Sequence, residues 1–302
     1  MFVVDMHCDS LGLVSEDRGL VTKYNVSREW QYMQLFAAFV PNGETTPYMR
    51  RRTLLRLVDS YISEVNRLKL VPIYECRDLG FSRTMERSSA MLSIEGGGGL
   101  FADSEELLTV YKAGLRVMGL VWDKNELSAS AWDKIDTGLT DEGFKMVERL
   151  SELGVIVDVS HMSDKAIEDT LAATSYPVIA THSNFRSVTG SPRNLPDHLA
   201  KRIAMRGGVI GLNLYPEFLS DKPTADFDDV YRHVDYALQL VGEDALALGC
   251  DIDGTDGRYP DGLGEGESIH DVLAYRLSQK YGERIAEKIV GENAFEFFKE
   301  NL

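Results

Sequence analysis

Short apolar runs closed by turn residues recur along the chain. Eight stand out in order: FVVDMH, QLFAAFVP, AMLSIEG, LRVMGLVW, GVIVDVSH, PVIATHS, GVIGLNLY and ALALGCDID. Runs of this kind predict buried strands. Between most of them lie segments of helical period or composition, at 46–69, 104–113, 141–152, 163–173, 197–206 and 226–241, with a long helical region over about 268–297. Strands alternating with helices argue for a parallel sheet with helical crossovers. Eight such units predict closure into a (β/α)8 TIM barrel, a single domain over 1–302. Two irregularities leave that count intact: the connection 11–33 is only weakly helical, and LVPIYE near 70–76 reads as an extra strand. Ser163 and Thr140 are N-cap candidates with acidic residues following, and Pro177 opens the sixth strand, where a missing amide is tolerated. The Gly- and Asp-rich stretch 254–267 reads as a long loop at the functional end of the barrel or as a surface segment.

The polar positions that interrupt this pattern gather at the carboxyl ends of the strands. They are His7 and Asp9, Glu95, His161, His182, and Asp251 with Asp253. In a (β/α)8 barrel those ends converge on one face, where the active sites of the fold lie. Polar groups at the end of an apolar strand are costly to bury unless something compensates them. Histidine and carboxylate together suit zinc or another first-row metal better than calcium or magnesium. The set exceeds what one structural ion needs, so a two-metal site fits better. A lone histidine at a strand end is more often a hydrogen-bonded core residue. Three of the chain's six histidines at such ends, with the acids, argue against that for the group. His198, His233 and His270 fall in or at the starts of helical segments, where surface or packing roles are expected. Asp5 is read on the same strand face as His7, supporting a ligand or lying as a polar residue in the barrel, with the former preferred.

Composition narrows the partners. With 48 acidic against 32 basic residues the net charge is −16, which disfavours nucleic acid and anionic membrane. No apolar run is long enough to span a bilayer, and no signal segment precedes Phe2, so a cytoplasmic location is expected. The polar ending FFKENL gives no support to a lipid anchor. Cys8, Cys76 and Cys250 form neither a metal-binding spacing nor a disulfide framework, and small buried roles are expected. SIEGGGGL lacks the Gly-Lys-Ser/Thr ending of a phosphate loop, so its glycines are read as a sharp turn that lets Glu95 point into the site. No Gly-x-Ser-x-Gly elbow supports serine hydrolase chemistry.

Asp-x-His-x-Asp at the first strand, Ile-Glu-Gly-Gly at the third, VDVSH at the fifth, THSNFRSVTGSPRNLPD at the sixth and GCDIDG at the eighth resemble the membrane dipeptidase (renal dipeptidase) family, peptidase family M19. The similarity covers nearly the whole chain and extends to GGVIGLNLYPEF and GENAFEFF. It implies a barrel hydrolase holding two zinc ions (Zn2+) per chain. His7 and Asp9 would bind one, His161 and His182 the other, and Glu95 would bridge them. Asp251 would be the catalytic acid beside the bridging water, Arg193 would hold the substrate carboxylate, and Tyr215 would line the pocket. Trp122 stands where some members carry a histidine that contacts the tetrahedral intermediate, which puts the substrate range of the mammalian enzymes in question here. The implied substrate is a dipeptide with a free carboxyl terminus, a C-terminal D-residue being tolerated in the family, and the implied chemistry is attack by a metal-bridging hydroxide. Family members are often dimers, so a homodimer stays open. Two rivals remain at this stage. One is another binuclear barrel hydrolase acting on an amide, lactone or phosphoester, although amidohydrolases typically carry His-x-His at the first strand. The other is a catalytically silent binding protein on the same scaffold.

Overall fold

The computed structural model describes residues 2–14, 31–40, 46–264 and 268–302. The strands are β1 (Phe2–Cys8), β2 (Gln31–Phe39), β3 (Val71–Pro72), β4 (Ser89–Glu95), β5 (Leu115–Gly119), β6 (Ile156–Asp158), β7 (Val178–Ile179), β8 (Ile210–Leu212) and β9 (Leu246–Leu248). All pair in parallel in the order β7-β6-β5-β4-β2-β1-β9-β8, with β3 beside the start of β4. A bridge from Ala180 to Ile210 joins β7 to β8 and closes the ring. The result is the (β/α)8 barrel expected from the pattern, and the LVPIYE irregularity is the small extra strand β3. Most of the connection 11–33 and the end of the 254–267 stretch lie outside the described residues.

The helices form where their caps predict. Thr46, Ser104, Thr140 and Ser163 each accept an amide of the first turn through their hydroxyls. Gly114 and Gly154 end two of those helices in the left-handed conformation. The long final region is not one helix. It breaks at Gly282 and runs as Ile269–Tyr281, Glu283–Glu287, a π-helical turn Lys288–Glu292, and Asn293–Asn301. Gly291 in that turn packs on β1 so closely that a Cβ would stand 1.9 Å from the Phe2 carbonyl oxygen. Sequence reading also passed over the helix Cys76–Thr84. Cys76 opens it and is exposed, which corrects the expectation that all three cysteines are buried.

Apolar side chains separate into two layers. Val4, Met6, Met33, Leu35, Met91, Val117, Ile156 and Ile179 fill the barrel, closed below by Phe295, Phe297 and Phe298. Val3, Cys8, Phe36, Leu92 and Val157 pack outward with the helices. The interior cluster occupies one end of the barrel and leaves the carboxyl ends of the strands for polar residues. Among the described residues no helix is long and apolar enough to cross a membrane.

Candidate metal centre

Local backbone features turn the polar residues inward. Between Asp5 and Cys8, β1 advances three residues while its partner β2 advances two, from Gln34 to Phe36, which is a one-residue bulge. Bulges beside active sites re-aim side chains. Here the bulge brings His7 into the barrel, where its ring stacks on His182 at 3.6 Å. Asp5 instead meets His270 of the outer helix Ile269–Tyr281, so the two do not share a face as expected. Glu95 is the last residue of β4, and Gly96 turns the chain away with φ 79°. His161 and Asp251 hold left-handed backbones, with φ 68° and 58°, a strained state for non-glycine residues that clusters at functional sites. Gly254 closes over the pair Asp9 and Asp251, leaving no room for a Cβ, which would lie 2.2 Å from an oxygen of each.

The two oxygens of Glu95 face different partners. Oε2 lies 3.5 Å from His7 Nε2, which is itself 3.6 Å from Asp9 Oδ2. Oε1 lies 2.7 Å from His161 Nε2 and 3.4 Å from His182 Nε2. Candidate ligand atoms include the groups His7–Asp9–Glu95 and Glu95–His161–His182, sharing one carboxylate, with a further grouping of His7, His182 and Asp251 beside them. Asp251 adjoins them, with Oδ1 3.9 Å from His7 Nε2. Among the described residues, His7 Nε2 and Asp9 Oδ1 are buried with no hydrogen-bond partner. Orphaned buried polar atoms are rare and call for an explanation. Divalent cations between the two groups would satisfy them, and the imidazole and carboxylate donor set fits a first-row metal.

The electrostatics agree. Burial pushes the pKa of His161 and His182 well below the usual imidazole value, with Arg193 and His7 adding to it, so both rings are neutral and carry a lone pair. Burial and then the neighbouring Asp9 push Glu95 up to about 8, while the charges of Glu95 and Asp9 outweigh burial and raise His7 well above its ordinary value. The Glu95–His7 pair thus holds a proton at pH 7 in metal-free protein. A ligating carboxylate or imidazole must lose it, so metal binding releases a proton. Affinity is therefore expected to rise between pH 6 and 8 by about tenfold per pH unit for each proton displaced, and to level off above the Glu95 value. Calorimetry in buffers of different ionisation enthalpy checks this, and pH-independent affinity over that range contradicts it.

Surrounding groups orient the cluster. Thr181 donates its hydroxyl to Asp158 Oδ2, so its oxygen accepts from His182 Nδ1 at 2.8 Å and the network assigns the bare lone pair to Nε2, facing Glu95. Asn213 donates to Asp251 Oδ2 at 3.0 Å. Burial, with Asp9 adding to it, raises Asp251 to about 6. Arg193 is buried beside the cluster, donating to Ser183 Oγ at 2.8 Å and to the His182 carbonyl at 2.9 Å, with its Nε unpartnered among the described residues. Trp122 packs between Phe39 and His161, at ring distances of 5.2 and 5.9 Å. Tyr215 stacks near Phe218 and under Arg258, and Phe218 lies beneath Arg193. Asp253 turns to Ser10, whose hydroxyl it accepts at 2.6 Å.

Asp158, Thr181 and Asn213 were not singled out from the sequence, although Asp158 and Asn213 obey the same strand-end rule that found the others. Asp5 is fully buried. Its Oδ1 accepts the amides of His7 at 3.2 Å and Cys250 at 2.9 Å, and its Oδ2 meets His270 Nε2 at 2.8 Å. Burying an unpaired carboxylate costs several kcal/mol. Hydrogen bonds to a charged acceptor contribute about 1.5–3 kcal/mol each, so these bonds offset that cost. Burial pushes the Asp5 pKa up, but His270 and the two amides outweigh it and hold it below the ordinary value. His233 is buried against the Leu219 carbonyl, and His198 is exposed beside Glu168, packing and surface roles as expected.

Residues 2–301 match the profile of the membrane dipeptidase family, peptidase family M19. An uncharacterized protein in the pqqA 5' region of Klebsiella pneumoniae is 32% identical over 75% of this chain and 84% of its own length. Dipeptidase tcpJ of Claviceps purpurea is 32% identical over 71% of this chain, which spans about half of that relative (52%). A metallo peptidase from Rhodobacter sphaeroides, solved with a phosphinate mimic of the dipeptide L-Ala-D-Ala, superposes with a TM-score of 0.88 at 21% identity, covering 100% of this chain and 99% of that one.

Proposed function

The chain belongs to the membrane dipeptidase family, peptidase family M19, a class of metallo-dipeptidase hydrolases, and from that premise we propose that it is a two-zinc dipeptidase whose substrates end in a free carboxylate. The observation that carries this reading is the division of Glu95 between two donor groups. His7 and Asp9 would hold one ion, His161 and His182 the other, and Glu95 would serve both. Bound there, the ions would supply Lewis acidity and make a water acidic enough to act as nucleophile near neutral pH.

The chain's own residues do the rest. Asp251, raised by burial to about 6, is ionised at neutral pH yet basic enough to take a proton from the attacking water and return it to the leaving amine. Asn213 holds its second oxygen and so sets which one faces the reaction. Arg193 receives the substrate carboxylate through the guanidinium edge that its bonds to Ser183 and His182 leave over. That edge lies beside the cluster, which suits a substrate ending one residue beyond the scissile bond. Trp122 and Tyr215 form apolar walls. The phosphinate mimic of L-Ala-D-Ala bound in the Rhodobacter sphaeroides structure supports including C-terminal D-residues among the substrates.

Amino-acid release from a panel of dipeptides, with free and amidated carboxyl termini, tests the reading. Wild-type protein is expected to prefer the free form, and Arg193→Lys to lose about 10- to 100-fold in kcat/KM on it, the worth of a charged hydrogen bond. Equal cleavage of free and amidated dipeptides by the wild type would remove the carboxylate requirement and the role of Arg193.

A further inference from the structure

We infer that His270 is a positioning residue for the metal centre, acting through Asp5 to hold the bulge that aims His7. The inference rests on the proposed metal site and extends it to a helix outside the barrel.

At Asp5 the ladders on both sides of β1 lose their regular step. Toward β2 the register shifts by one residue between Asp5 and Cys8. Toward β9 the pairs are Asp5 with Leu248 and Cys8 with Ile252, three residues against four. His7 and Cys250 lie inside these irregular stretches, each beside or at a site residue. The amides of both bond to the same acceptor, Asp5 Oδ1, at 3.2 and 2.9 Å. One carboxylate oxygen thereby fixes the backbone before Asp251 and at His7 together, and the distance between these two side chains follows from it.

That oxygen is placed by its twin. Asp5 Oδ2 bonds His270 Nε2 at 2.8 Å, and both residues are wholly buried. His270 sits in the first turn of the helix Ile269–Tyr281, so the outer layer of the barrel reaches the centre through one hydrogen bond. Without it the carboxylate is free to rotate toward another donor, and the two amides lose a fixed acceptor. Partners of this kind typically change metal affinity by about 10- to 100-fold when removed.

The test compares His270→Leu, which removes the donor, with His270→Gln, whose side-chain amide reaches the position of Nε2. In metal-free protein, hydrogen exchange of the His7 and Cys250 amides is expected to quicken in His270→Leu and to return toward wild type in His270→Gln. In cobalt-loaded protein, the visible absorption bands are expected to shift, cobalt affinity to fall about 10- to 100-fold and kcat to fall with KM little changed, again with recovery in His270→Gln. Should His270→Leu fail to fold, His270→Asn keeps a polar group but falls short of Asp5, and the same changes are expected. Unaltered exchange of the two amides, or a wild-type cobalt spectrum and kcat in a folded variant, overturns the inference. Failure of the wild type to bind cobalt would instead count against the metal site, and the exchange measurement still decides the role of His270.

Discussion

Glu95→Gln is expected to lower turnover by about 10⁴-fold or more and to leave the protein short of one of its two metal ions. The side chains are nearly isosteric, but an amide nitrogen offers a cation no lone pair. One of the two donor groups that share Glu95 therefore loses a ligand whichever way the amide turns. His7 with Asp9 on one side and His161 with His182 on the other cannot compensate, since each group faces a separate carboxylate oxygen. Stability is expected to be preserved, because burial already pushes Glu95 up to about 8 and a neutral group suits the site. Metal analysis and thermal unfolding of the same sample separate the effects. Two ions retained with turnover within about tenfold of wild type would show that Glu95 bridges nothing.

Asp251→Asn is expected to keep both metals and lose about 10²–10⁴-fold in kcat, the range for a general acid–base group. Asp251 stands outside the two groups that share Glu95 and its Oδ2 is held by Asn213, so it is assigned to the proton rather than to the ions. The substituted side chain still presents an oxygen to the Asn213 amide, so the local network is preserved while the proton acceptor is gone. The strained backbone at this position, φ 58°, also favours the change, since asparagine tolerates the left-handed region. Near-normal kcat with full metal content would remove Asp251 from the mechanism. Loss of metal in step with activity would make it a ligand instead.

The barrel was legible because each strand is a short apolar run ended by turn residues, and the eight runs named from the sequence each overlap one of the eight strands of the ring. The cluster was legible because a strand end is the one place in such a run where a polar side chain reaches the functional face. His7, Asp9, Glu95, His161, His182 and Asp251 do converge. The orientation of Asp5 was not legible. Strict alternation pairs it with His7, and a bulge reverses that pairing without any mark in the sequence, neither glycine nor proline standing at the shift. His270 was hidden for a different reason. Its partner lies 265 residues away on another layer, so its burial depends on how a helix docks rather than on local pattern. The π-turn around Gly291 likewise comes from packing, from the close approach to Phe2, whereas the last helical region breaks at Gly282 because that glycine takes φ 80° in open space.

A titration of chelated protein with zinc, following release of amino acid from a dipeptide alongside bound metal, decides whether a bridged pair of ions in this cluster hydrolyses dipeptides. Activity is expected to be absent without metal and to reach its plateau when two ions are bound per chain. Full activity in the chelated protein, a plateau at one ion, or two ions bound with no dipeptide cleaved would contradict it.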